Sequence, residues 1–385
     1  MKVFDLAVIG LGALGSSALW HLSQSGKRVL GLDQYAPPHT LGSTHGESRI
    51  TRLAVGEGKQ FVPLVKRSHE IWRHLEKLTG KNIMTTTGGL LLDSATKSWS
   101  KHGSEGFFER TLRIAREEGI AHEVLEARHL SEIFPEFNIG AEGKVYYEPS
   151  AGLLRPELAV RTQLDLAEKN KAVIRTHTKV YQFEPLPGGG VQIKTSVGDF
   201  EAGRVLLSAG AWLKDFLTPE RRSHFKVSRQ MLHWLPIKEG AYQLGKCPVF
   251  MWGYGPRAED FIYGFPSLDG SSIKVATESF VESRHPDTLL REITIDDQKA
   301  FVKEKLAERL NFLKPGVERS QVCLYTLTDD ANFVVDQLED FPEVIMASAC
   351  SGHGFKHSAG LGEALAKKLL DQSPDIDLAP FLWNA

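Results

Sequence analysis

The sequence predicts an α/β chain of two interleaved parts, one with a parallel sheet covered by helices and one of α+β character on a mostly antiparallel sheet. Three observations carry that prediction. The chain opens with strand, glycine turn, helix and second strand within about 30 residues, the length of a βαβ unit. Short unbroken apolar runs return at 204–207 and 344–349, as strands buried on both faces require. From about 220 to 320 the pattern instead alternates residue by residue, as a sheet with one covered face does. With 385 residues the chain is long enough for two cores.

Val3–Ile9 is apolar except for Asp5 and reads as a buried strand. The turn Gly10-Leu11-Gly12-Ala13-Leu14-Gly15 follows at once. A helix over Ser16–Ser25 comes next, with Ala18, Leu19 and Leu22 on one side and Gly26 where a helix C′ residue belongs. Arg28–Leu32 is the second strand and ends in Asp33. This is a Rossmann-type order, in which Gly10 permits the tight turn, Gly12 lets the backbone approach a pyrophosphate and Gly15 lets the helix pack on the strand. The helix N-terminus offers N–H groups and partial positive charge to phosphates. Asp33, 23 positions after Gly10, is spaced to bind free ribose hydroxyls, and an acid there does not separate FAD from NAD. The alternative is a tight turn in an unrelated α/β protein. The agreement of strand, helix, second strand and acid weighs against it.

Residues 34–58 are punctuated by Pro37-Pro38, Gly42, Gly46, Gly56 and Gly58 and read as a loop. Helical spacing is expected over Phe61–Leu75 and Glu109–Glu118, and over Pro156–Glu168 with Pro156 in the first turn. Residues 88–92 read as turn then strand, Val173–Val180 and Val191–Thr195 as strands, and Asp296–Leu310 as a charged helical run. The last apolar strand, Val344–Ala349, enters a glycine-rich turn and a helix through Leu370. The expected division gives 1–85, 150–215 and 320–385 to the dinucleotide-binding part. It gives 86–149 and 216–319 to the substrate part.

Composition excludes several classes. Charged residues make up 24% of the chain and the formal net charge is −2, so a basic field for nucleic acid is missing. No apolar stretch approaches the roughly 20 residues that span a bilayer, so no membrane partner is expected. Cys247, Cys323 and Cys350 are odd in number and widely spaced, which fits neither a disulfide framework nor a zinc site, and no metal is expected. Met1-Lys2 runs directly into a strand, and the last residues lack a peroxisomal address. The expectation is a cytoplasmic protein.

Four further constellations could carry chemistry. His45, Arg49 and Arg52 lie in the run Ser43–Arg52, a donor-rich cationic loop that could clamp a carboxylate or be merely solvated. Tyr263-Gly264-Phe265-Pro266 and Lys274 could line a pocket, although a surface lysine is the commoner outcome. In Ser351-Gly352-His353-Gly354-Phe355-Lys356 the glycines let backbone amides face a ligand. Lys356 at the start of a helix runs against the usual charge preference and points to an anion; a plain turn is the alternative. Cys323 sits in the alternating run 321–326, where a buried thiol is usually a small hydrophobe.

The stretches PPHTLGSTHGESRITR, GEGKQFVPL, YGFPS with the lysine after it, VCLYT and SGHGFKHS occur in that order. Together they resemble the monomeric sarcosine oxidase and N-methyltryptophan oxidase family within the D-amino-acid-oxidase-like flavoproteins. The resemblance covers nearly the whole chain and implies FAD rather than NAD. By this resemblance Cys323 matches the cysteine joined covalently to the flavin 8α-methyl carbon, and Lys274 matches the lysine that activates dioxygen. Arg52 and Lys356 match the pair that grips the substrate carboxylate, and His45 and Arg49 match residues beside the flavin ring. Tyr263 matches an active-site tyrosine, and Val180 a position whose backbone meets the adenosine. Ser43, Gly352, His353 and Gly354 fall in the matching cofactor-binding stretches.

One departure concerns the substrate. Where sarcosine oxidases carry a histidine four residues past the lysine, this chain has Glu278, which resembles the fructosyl amino acid oxidases. The implied reaction is oxidation of the C–N bond of a small N-substituted or cyclic amino acid to an imine, which water hydrolyses. The electrons leave on dioxygen as hydrogen peroxide, and a monomer is expected. The readings kept beside it are a fructosyl amino acid oxidase, an L-pipecolate or cyclic imino acid oxidase and a subunit of an amine dehydrogenase. A protein that merely holds a dinucleotide is the last of them.

Overall fold

The computed structural model describes residues 2–95, 99, 106–279, 281–283, 285–306 and 308–383. In it the opening apolar run, Lys2–Ile9, is a strand paired in parallel with Val29–Leu32 on one edge and Phe200–Leu207 on the other. Val29–Leu32 pairs onward in parallel with Val173–Arg175. The end of Phe200–Leu207 pairs in parallel with Phe341–Ser348. The start of Phe200–Leu207 instead takes the antiparallel strand Val191–Thr195, which pairs with Val180–Pro185.

Successive residues of the first strand enter different cores. Leu6 and Val8 pack with Leu19, Trp72, Leu164 and Leu365 under the helices, while Ala7 and Ile9 pack with Phe183, Val191 and Phe225 on the other face. Burial on both faces is why this strand reads as continuously apolar. The helix Ala13–Ser23 packs between Pro156–Lys169 and Ser358–Leu369, and Val62–Thr79 packs against the latter. Helix Pro156–Lys169 begins on Pro156, whose missing N–H would have been unpaired there anyway.

Among the described residues the second sheet is antiparallel apart from one pairing. Its long strand, Lys226–Pro236, runs between Ser272–Ala276 and Arg319–Leu327. Phe261–Gly264 and Val249–Gly253 continue the meander, and Gly89–Asp93 joins Val249–Gly253 in parallel. Lys144–Glu148 and Glu123–Glu126 complete that edge. A small third sheet pairs Arg49–Thr51 and Met84–Thr86 with Gly152–Leu154, and so carries the cationic loop to the start of helix Pro156–Lys169.

The expected division needs adjustment. Residues 320–327, expected with the dinucleotide-binding part, belong to the antiparallel sheet, because Arg319–Leu327 is laddered along its whole length to Lys226–Trp234. Val173–Val180 is two strands rather than one. His177 and Thr178 turn to donate their backbone N–H groups to the carbonyls of Tyr35 and Asp33, which ends the first strand at Arg175. The charged run expected over 296–310 is helical over Ile295–Phe301, opens into a wider turn over Val302–Leu306, and crosses position 307, outside the described residues. Among the described residues no helix is long and apolar enough to cross a membrane.

Candidate active site

A cavity of about 240 Å³ starts at the carboxyl ends of the parallel strands and runs to the antiparallel sheet. Ile9, Leu32, Ser208 and Ser348, at or just past those strand ends, line its first part. That crevice is where open parallel sheets bind ligands, because the strand order reverses there and the loops diverge.

The first end is built from backbone. Gly10 has φ +85°, and a Cβ on it would lie 2.5 Å from the Ser208 carbonyl oxygen. A Cβ on Gly15 would fall 1.8 Å from the Gly10 carbonyl oxygen, so Gly15 lets the helix sit on the strand and does not itself line the cavity. Gly12 does line it, and a Cβ there would meet only Thr44 Oγ1, at 3.5 Å. Asp33 is buried and accepts the N–H groups of Leu11 and Tyr35, both at 2.8 Å. Burial pushes its carboxyl up to about 6, against those two hydrogen bonds. Val180, Ser43, Gly352, His353 and Gly354 also line the cavity.

The far end is built from side chains. Arg49 donates through Nη2 to the Ser43 carbonyl at 2.7 Å and to Cys323 Sγ at 3.5 Å, and through Nη1 to the Ser48 carbonyl at 2.8 Å. Burial raises the Cys323 thiol above its ordinary range, and the Arg49 guanidinium opposes that rise. The Tyr263 and Tyr325 hydroxyls stand 3.5 Å apart on neighbouring walls. Burial pushes Tyr263 up to about 12. Glu278 is buried and faces the same space, close enough to both tyrosines to help raise them.

Lys274 and His45 stand behind this wall rather than in it. Lys274 is buried, donates to the carbonyls of Gly46 and Ser48 at 2.6 Å each, and lies 4.2 Å from the centre of the Phe265 ring. Burial, then Arg49, pull its pKa well below the usual lysine range. His45 is pulled down to about 3, first by burial and then by Arg49, so its ring is neutral.

The predicted anion clamp closes on a residue of the chain itself. Arg52 Nη2 donates to Glu57 Oε2 at 2.7 Å, and Lys356 Nζ lies 3.9 Å from Glu57 Oε1. Lys356 also donates to the His353 carbonyl at 3.0 Å, and Arg52 to the Ala54 carbonyl. Buried Glu148 accepts the N–H groups of Leu53 and Ala54 and fixes the turn after Arg52. All three charged groups, Arg52, Glu57 and Lys356, line the cavity. Sequence reading missed Glu57, although it lies in GEGKQFVPL. The signal was available, since two cations sharing a buried site require an anion. It also passed over Tyr325, inside VCLYT, and Glu157, whose carboxylate accepts the N–H groups of Gly46 and Glu47.

The residues suit FAD. The cavity is long, its first end has the glycine turn and the ribose-spaced acid, and Gly12 leaves open the space that a side chain would fill. Such a group would lie between Asp33 and Val180 at one end and Arg49 and Cys323 at the other.

Comparison with known proteins agrees with this geometry. Residues 5–368 match the family model described as DAO, FAD dependent oxidoreductase. The chain is 32% identical to a monomeric sarcosine oxidase from Bacillus sp. (strain B-0618), over 99% of this chain and 96% of that protein. It is 30% identical to an N-methyl-L-tryptophan oxidase from Yersinia pestis (strain Pestoides F), over 98% of each. Among solved structures, NikD, an unusual amino acid oxidase essential for nikkomycin biosynthesis, superposes in its open form with a TM-score of 0.86. The identity there is 18%, and the match covers 99% of this chain and 98% of that one. The chain belongs to the FAD dependent oxidoreductase family and, within it, groups with the monomeric sarcosine oxidases and N-methyl-L-tryptophan oxidases.

Proposed function

We propose that the protein oxidises the C–N bond of a small N-substituted amino acid of the N-methyl type, using FAD and dioxygen and releasing hydrogen peroxide. The observation that carries this reading is one cavity that joins the Gly10–Asp33 cradle to a set of charges, Arg49 and the buried Arg52, Lys356 and Glu278. The names of the relatives at 30–32% identity support an N-methyl amino acid as the substrate class.

Bound FAD supplies the two-electron acceptor, and the protein supplies binding, orientation and charge. In this reading Gly10, Gly12, Ser43, Gly352, His353 and Gly354 would hold the pyrophosphate and neighbouring parts of the cofactor. Asp33 and Val180 would hold its adenosine end, and Gly15 keeps the helix packed on the strand. Arg49 and neutral His45 would set the charge beside the ring, and Cys323 Sγ would be the atom that ties the ring to the protein. Arg52 and Lys356 take the substrate carboxylate after it displaces Glu57, which orients the reacting carbon. Tyr263, Tyr325 and Glu278 surround the substituent on nitrogen. When protonated, Lys274 would favour the negative charge that develops on dioxygen, since a buried charge acts more strongly than one in water.

Glu278 favours a second reading. A buried carboxylate beside two tyrosine hydroxyls suits a substituent rich in hydroxyl groups, as in a fructosyl amino acid. A peroxide assay against sarcosine, N-methyltryptophan, L-proline, L-pipecolate and fructosyl-glycine decides between them, with the visible spectrum recorded alongside. Turnover of an N-methyl compound supports the first reading, and turnover of fructosyl-glycine alone the second. Anaerobic bleaching without peroxide would indicate a dehydrogenase. Yellow colour should survive acid precipitation and be lost in Cys323→Ala.

We read the enzyme further as a cytoplasmic monomer, since its three separated cysteines suit a reducing compartment. Light scattering should give one subunit mass of 42.8 kDa.

A further inference from the structure

We infer that Glu157 is a positioning residue for Lys274, acting through the single peptide group that joins Gly46 to Glu47. The N–H of that peptide, on Glu47, donates to Glu157 Oε1 at 3.0 Å. Its carbonyl, on Gly46, accepts from Lys274 Nζ at 2.6 Å. Carboxylate, peptide and ammonium therefore form one hydrogen-bonded line with the peptide dipole pointing the right way along it, and such chains strengthen as each bond polarises the next. The Gly46 N–H reaches the same Glu157 oxygen at 2.6 Å, and the Ser48 carbonyl takes a second proton of Lys274 at 2.6 Å.

The backbone is bent for this arrangement. Gly46 and Glu47 have φ of +93° and +69°, which turns their N–H groups toward Glu157 and the Gly46 carbonyl toward Lys274. A non-glycine residue seldom adopts that region without compensation. Compensation is visible on the outer side, where the Glu47 carboxylate accepts from Trp234 Nε1 at 3.0 Å and from Arg319. A Cβ on Gly46 would lie 2.6 Å from Leu232 Cδ1, so a side chain at this position would crowd Leu232. Glu157 stands in the first turn of helix Pro156–Lys169, where a negative charge is favoured, and the pairing of Arg49 with Leu154 sets the loop beside it.

The line answers an electrostatic problem. Lys274 is buried with Arg49 as a like-charged neighbour, and His45, Cys323 and Glu47 are the other titratable groups acting around it. Burial and then Arg49 favour its neutral form, and Glu157 is the largest influence in the opposite direction. The consequence for the reaction rests on the reading that Lys274 serves dioxygen, whereas the pairing itself does not.

The test measures the lysine directly. Holoenzyme carrying [13Cε]lysine gives a Lys274 signal, assigned by its loss in Lys274→Met. Glu157→Gln keeps an acceptor oxygen for both N–H groups and removes the charge. It should lower the Lys274 titration midpoint by about one pH unit, a tenfold change in proton affinity. The alkaline limit of flavin reoxidation should fall by the same amount, anaerobic reduction by substrate should stay at the wild-type rate, and Glu157→Asp should recover most of the shift. A midpoint unchanged in Glu157→Gln overturns the inference. Should that variant fail to fold, the shorter pair Glu157→Asp and Glu157→Asn supplies the same comparison: Lys274 should titrate lower in Glu157→Asn than in Glu157→Asp, and identical midpoints overturn the inference equally. A shifted lysine in Glu157→Gln, with Lys274→Met reoxidising as fast as wild type, would uphold the pairing and remove the dioxygen role alone.

Discussion

The two ends of the cavity are made differently. The cradle around Gly10, Gly12 and Asp33 comes from one short stretch and is shaped by turn geometry and by a carboxylate held on two backbone N–H groups. The opposite end gathers Arg49, Arg52, Glu57, Tyr263, Glu278, Cys323, Tyr325 and Lys356, from five separate stretches, around buried charge. The cradle therefore depends on the absence of side chains and the far end on their presence. Substitution should harm the first through sterics and the second through electrostatics.

The largest effect should come from Lys274→Met. Removing a group that favours developing negative charge typically costs about 100- to 1000-fold in rate, so reoxidation by dioxygen should slow by that amount while anaerobic reduction hardly changes. Stopped-flow measurement of both half-reactions checks this, and equal slowing of both would make Lys274 a structural residue. The cradle offers the contrasting case. Gly15→Ala should destabilise the protein by about 3 kcal/mol, the upper range for overpacking, because its Cβ would collide with the Gly10 carbonyl. Gly12→Ala should unfold in urea at nearly the wild-type concentration and yet take up much less flavin during assembly. If the two glycine variants behaved alike, Gly12 would not face the cofactor.

Glu278→His should shift preference toward sarcosine by about tenfold in kcat/KM, the scale of one hydrogen bond to a charged group. An unchanged substrate ranking would free Glu278 from specificity. The smallest effect is expected at Glu57, the carboxylate that occupies Arg52 and approaches Lys356. Glu57→Gln should lower KM by about threefold and tighten inhibition by acetate similarly, since an internal competitor for the clamp is removed. A raised KM would instead mean that Glu57 holds the clamp in shape.

Legibility followed the same contrast. The first strand, the glycine turn and the second strand were readable because each is decided by neighbours in sequence, and the structure moves their expected ends by only a few positions. Resemblance extended that reading to Arg49, Cys323 and Glu278, which the fold brings to one cavity. It did not extend to the sheet of strand 319–327, whose partner Lys226–Trp234 lies far upstream, beyond the reach of a local pattern. Glu157 went unnoticed for a similar reason, as its partners lie more than 100 residues upstream.

By itself the sequence determined the βαβ unit, the alternation that marks the second sheet and the residue types available for chemistry, because periodicity and glycine placement act locally. The tertiary structure alone decided that Lys274 stands behind the wall with two carbonyls on its ammonium. It alone set Glu57 against Arg52 and Lys356 and placed a carboxylate across one peptide from the buried lysine. Each of those depends on which charges are brought together out of water, and buried charge must find its partners wherever the fold supplies them.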